Sequence, residues 1–137
     1  MPAPVPVTPP DTVLCDDVVE LRPRRVPGGD GLTLAVIERD GGTPRGHIGL
    51  RVLADDREVA EVAHDGVHAA AVRLLAGWAL REWGLARLQL ATRVDDAASQ
   101  DTAEEAGFRR EGVLRSWSEI DGRRIDMVMF SLLPGDP

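Results

Sequence analysis

The stretch Glu58–Gly84, "EVAEVAHDGVHAAAVRLLAGWALREWG", decides the fold. Arg57–Ala63 ("REVAEVA") reads as a strand. From Val67 the period changes. Val72, Leu75, Ala76, Ala79, Leu80 and Trp83 recur at spacings of three and four, one face of a helix. Gly84 stands where a C-terminal cap is expected. The join is only His64–Gly66, "HDG". A strand, a tight turn and a helix in that order offer free helix N–H groups to a phosphate. Such loops usually carry several glycines, a basic residue, or both, whereas this one has one glycine and an acid. Asp65 is also a good N-cap, and its carboxylate would take the N–H groups of Val67 or His68 for the protein itself.

Outward from that unit, only Gly84 separates the helix from Leu85–Arg93, where Leu88 and Leu90 share a strand face. The β–α–β order predicts a parallel pair joined by a right-handed crossover. Asp95 or Asp96 caps a second helix, Ala97–Ala106, which ends at Gly107. The strands "EGVLRSWSEI" and "RRIDMVMFSLL" flank Asp121–Gly122, a strong two-residue hairpin signal. On the N-terminal side, Val18–Arg22 is a strand stopped by Pro23, and Leu32–Asp40 forms a hairpin with Gly46–Leu53. The expected class is α/β (α+β): one mixed, mostly antiparallel sheet of about seven strands with two main helices. Residues 13–137 form the compact domain. Residues 1–12, "MPAPVPVTPPDT", read as a flexible, Pro-rich tail.

At 137 residues the chain suits one domain, and 43% hydrophobic residues is ample for a core. The net charge of −7 argues against a nucleic-acid role, which draws on clustered basic residues. All 16 basic residues are Arg, and Tyr is absent. That excludes a Lys Schiff base and a Tyr general acid. Cys15 is alone, so no intrachain disulfide or multi-cysteine metal site can form, and no metal is expected. It is expected to be a small half-buried hydrophobe. No apolar run approaches the ~18 residues of a membrane span, and the N-terminus lacks a signal peptide's charged start and apolar core. The expected compartment is the cytoplasm.

The second half resembles a known family. Trp83-Gly84 at a helix end, "DDAAS" at 95–99, Gly107-Phe108, "EGVLR" at 111–115 and Asp121-Gly122 follow one another in the order and spacing of the GNAT superfamily of acyl-CoA N-acyltransferases. The likeness is strongest to the branch that acetylates the N-terminal amines of ribosomal proteins. The first half is similar mainly through "VELRP" at 19–23 and the hairpin ending in "GHIGL". Two departures stand out. The family's coenzyme loop, Arg/Gln-x-x-Gly-x-Gly/Ala, is shortened here: Gly66 falls on one family glycine and His64 on the other. The two helices that usually follow the first strand and help build the acceptor site have no room in Arg24–Gly31.

The resemblance implies acetyl-CoA as cofactor and a small-molecule or peptide amine as acceptor. It implies that the backbone of Glu61, Val62 and Ala63 would hold the thioester carbonyl and pantetheine arm. Gly66, Val67, His68 and Ala69 would hold the diphosphate, and Asp96 would contact the coenzyme. Ser99, on the family's "DNxAS" Ser, would protonate the leaving thiolate; the competing role is a helix-start Ser bonding the backbone. The family Tyr has Ala103 in its place. For the base, Glu58 and Glu61 lie on opposite faces of one strand, and Glu61 is nearer the cleft; His64 and His68 also titrate in a useful range. His47 is expected to be structural, and Trp117, on the final hairpin, a core or interface residue, with a place lining a cleft as the alternative. An alternative stands beside the enzyme: a degenerate GNAT-like module without acetyl transfer, serving ligand binding or protein interaction. With two helices missing, a homodimer is expected to cover an exposed apolar sheet face.

Overall fold

The computed structural model describes residues 13–24, 31–53, 55–56, 58–64 and 68–136. The Pro-rich tail and the residues Asp65, Gly66 and Val67, with the capping and diphosphate roles expected of them, lie outside the described residues. The elements are β1 (Leu14–Cys15), β2 (Val19–Arg24), β3 (Gly31–Glu38), β4 (Pro44–Val52), β5 (Val59–His64), α1 (Ala69–Glu82), β6 (Arg87–Arg93), α2 (Ala97–Glu105), β7 (Arg109–Ile120) and β8 (Arg123–Leu132). They form one 8-stranded sheet in the order β1-β2-β3-β4-β5-β6-β8-β7. Only β5 and β6 are parallel. The expected mixed sheet with two helices is found, with the short β1 added at the edge.

Local chemistry explains the ends. Gly84 has φ +62 one residue beyond the C-cap Trp83, a left-handed position that glycine occupies without a Cβ clash. Asp121 and Gly122 have φ +52 and +77, the pair of positive values that a tight two-residue hairpin needs. Asp96, not Asp95, caps α2. Pro23 does not stop its strand: β2 runs through it to Arg24 and pairs with β3 there. The outer neighbour β1 reaches only Leu21 and Glu20, so Pro23 lies on a free edge among the described residues, where its missing N–H costs little. Cys15 is exposed rather than half-buried.

The core lies on one face of the sheet. Leu21, Leu34, Leu50, Val62, Leu90 and Phe130 alternate along their strands and join Val72 and Leu75 of α1 and Ala103 of α2 in a single cluster. Both helices therefore cover the same face. β2 and β3 pair directly, and residues 25–30 between them, where the two helices were expected to find no room, lie outside the described residues. The opposite face, which no helix among the described residues covers, carries at alternate positions the ion pairs Arg22–Glu20 (3.0 Å), Arg51–Glu61 (2.9 Å) and Arg87–Glu111 (2.6 Å), with the exposed Val113 and Trp117 of β7 beside the last of them.

Candidate active-site cleft

The parallel pair β5–β6 comes apart before it ends. Its ladder holds at Val59–Arg87, Ala60–Leu88 and Glu61–Gln89. Beyond Glu61, β5 stays paired with β4 as far as His64–Ile48, while β6 stays paired with β8 as far as Arg93–Met127. Val62 and Ala63 thus present a strand edge inside the sheet. A cleft of about 590 Å³ opens at this splay. Its walls include Glu61, Val62, Ala63, His64, Asp96 and Ser99. The sequence-predicted pair Glu61 and Ser99 is therefore brought together with three of the predicted cofactor-binding residues. His68 is not among these lining residues.

Glu61 is tied to its cross-strand neighbour. Arg51 Nη2 donates to Glu61 Oε2 at 2.9 Å, and the carboxylate side chain is 21% exposed. Ser99 is buried on the first turn of α2. Its Oγ donates to Asp96 Oδ2 at 2.6 Å, and its backbone N–H donates to Asp96 Oδ1 at 3.1 Å. The Ser99 hydroxyl and then its N–H hold the Asp96 carboxyl below the ordinary carboxylate range, with His64 adding to the same effect and partial burial opposing it. Asp96 is thus ionised and serves as N-cap, and the Ser99 hydroxyl bonds its side chain rather than the backbone.

The start of α1 differs from expectation. The N-cap is His68, whose Nδ1 accepts from the Ala71 N–H at 3.4 Å. The cap position expected of Asp65 is therefore taken by His68, and the first turn contains no acidic residue.

Two features are not legible in the sequence pattern. His64 Nε2 lies 3.0 Å from Ala91 O across the splay. A carbonyl can only accept, so Nε2 is the donor. The second is Trp117, 53% exposed, on the cleft wall with Ile120 and Met127. It is not a core residue. Residue order alone does not signal either feature, because each depends on where one strand leaves another.

No protein-family model matches the chain. It is 25% identical over 113 residues to the uncharacterized N-acetyltransferase p20 of Bacillus licheniformis, covering 77% of this chain and spanning 64% of that relative's length. The crystal structure of a probable acetyltransferase (GNAT family) from Chromobacterium violaceum superposes with a TM-score of 0.79 at 20% identity, covering 98% of this chain and 91% of that one. The ribosomal-protein-S5-alanine acetyltransferase of Vibrio fischeri superposes with a TM-score of 0.65 at 18% identity, covering 77% and 62%. The chain has the fold of the GNAT acetyltransferases.

Proposed function

We infer that the chain is an acetyl-CoA-dependent N-acetyltransferase acting on the primary amine of a small molecule or a protein N-terminus. The observation that carries this reading is the splay: an unpaired strand edge in mid-sheet, opening on a cleft that holds a carboxylate and a hydroxyl. An edge of this kind can pair with an extended amide-bearing arm as a further strand would. Val62 and Ala63 would hold the acyl end of acetyl-CoA. Gly66, Val67 and His68, at the start of α1, would face its diphosphate. When bound, the coenzyme supplies an activated acetyl thioester. Glu61 would take a proton from the ammonium form of the acceptor, with Arg51 fixing the carboxylate's position. Ser99 would turn its hydroxyl from Asp96 to the departing sulfur. The likenesses to acetyltransferases support this reading, and that to a ribosomal-protein acetyltransferase supports a protein N-terminus among the acceptors.

A second reading is favoured by one contact. His64 spans the splay, and a chain in which that bridge persists would be a GNAT-like binding module without transfer. The test is release of free CoA thiol from acetyl-CoA with a panel of small primary amines and short peptides. The enzyme reading expects amine-dependent release, reduced at least tenfold in Glu61→Gln by loss of the base. Release that never rises above the amine-free rate would leave the binding module. No helix of the described residues is long and apolar enough to cross a membrane.

A further inference from the structure

Between Leu114 and Ser118, β7 makes four residue steps while the facing stretch of β8, Met127 to Ile125, makes two. The two extra residues form a bulge. At its centre Ser116 has φ +53, in the left-handed region that a non-glycine residue enters only when its surroundings impose it. The surroundings are explicit. Asp126 Oδ1 accepts from the Ser116 N–H at 2.7 Å. Arg124 Nε donates to Ser116 Oγ at 3.2 Å, and the same guanidinium donates to the Ser116 carbonyl. Two side chains of β8 thus grip the donor, the carbonyl and the hydroxyl of a single residue.

The next residue is Trp117. It stands between the splay cleft and a second cavity of about 390 Å³ on the uncovered face, lining both. A large indole left 53% exposed forgoes about half of the burial it could contribute to folding, and it offers a rigid flat surface to a ligand. With Ile120 and Met127 it makes an apolar wall on the β7–β8 side of the cleft. The guanidinium groups lining the cleft are already matched: Arg51 with Glu61 at 2.9 Å and Arg93 with Asp95 at 3.0 Å. Glu61, His64, Asp96 and Ser99 are among its polar lining residues. A ligand that fills the cleft meets both kinds of surface.

We propose that Trp117 is the residue that selects the acceptor, and that the acceptor is a primary amine carrying an apolar body that packs against Trp117, Ile120 and Met127. This deepens the acetyl-transfer reading and rests on it for the word acceptor, but binding can be tested without turnover. The full chain labelled with fluorotryptophan has three indoles, Trp78, Trp83 and Trp117, and Trp117→Phe assigns the third fluorine resonance. Hexylamine is expected to move the Trp117 resonance and leave the other two in place. By calorimetry it is expected to bind about tenfold more tightly than hexamethylenediamine, whose far end is charged. Trp117→Ala removes that preference, Trp117→Phe retains most of it, and Asp126→Ala, which loosens the bulge with the indole intact, also weakens hexylamine. Equal hexylamine affinity in wild type and Trp117→Ala, or a Trp117 resonance that hexylamine does not move, overturns the proposal. Binding with the expected preference but no acetyl transfer from acetyl-CoA to hexylamine upholds the selecting role and removes the transferase reading.

Discussion

At the scale of the residue, Asp96 carries two duties. Its carboxylate accepts the Ser99 N–H and hydroxyl at the start of α2, and it faces the cleft. Replacing a capping Asp by Ala costs about 1 kcal/mol, so Asp96→Ala is expected to lower the unfolding free energy by that amount at neutral pH in a urea titration. Asp96→Asn, which still caps, should cost less. The pH dependence has a definite sign. The folded carboxyl titrates below its unfolded value of about 3.9, because Ser99 favours the ionised form. The stabilisation is therefore complete above that value and is lost as pH falls through the lower folded one. Wild type should converge on Asp96→Asn in stability between neutral pH and strongly acid pH. Parallel curves over that range would show that the carboxylate adds nothing beyond the cap. A cap at Asp95 or Asp96 was legible in "DDAAS", because an acid just before a helix start is a local signal. The sharing of one hydroxyl between cap and cleft was not, since it needs the splay of a different strand.

At the scale of the element, the bridge from His64 to Ala91 decides how open the splay is. A hydrogen bond of this kind contributes about 1 kcal/mol net. His64→Ala should therefore tighten CoA binding about fivefold if the imidazole occupies coenzyme space. Weaker CoA binding in that variant would show that His64 holds the coenzyme instead. Here the sequence was informative about the element and silent about its edge. The change of period near Val67 placed α1 within two residues of Ala69–Glu82, since five buried residues recur on its inner face. The Asp121–Gly122 signal placed the last hairpin, since both residues need a positive φ. Strand periodicity says which side chains share a face. It does not say where a neighbour departs, so the splay after Glu61 and the bulge at Ser116 came only with the pairing register.

At the scale of the molecule, a sheet that hides one face under two helices depends on a single core. Leu75 of α1 is fully buried near its centre. Leu75→Ala is expected to cost roughly 2–5 kcal/mol in chemical denaturation, a large share of the stability of a domain of this size. A loss below ~1 kcal/mol would mean that the helix–sheet contact is looser than described. The other face carries the ion pairs of Glu20 with Arg22 and of Arg51 with Glu61. The pairing of Arg51 with Glu61 was not legible in the sequence, because cross-strand partners are unknown until the strands are paired.

The central claim is that the splay between β5 and β6 receives a coenzyme. Calorimetric titration of acetyl-CoA into the full chain tests it most directly. The account predicts saturable binding with a dissociation constant between ~1 μM and ~1 mM, unchanged in Ser99→Ala and altered in His64→Ala. No heat of binding with millimolar acetyl-CoA, for wild type and His64→Ala alike, would contradict it.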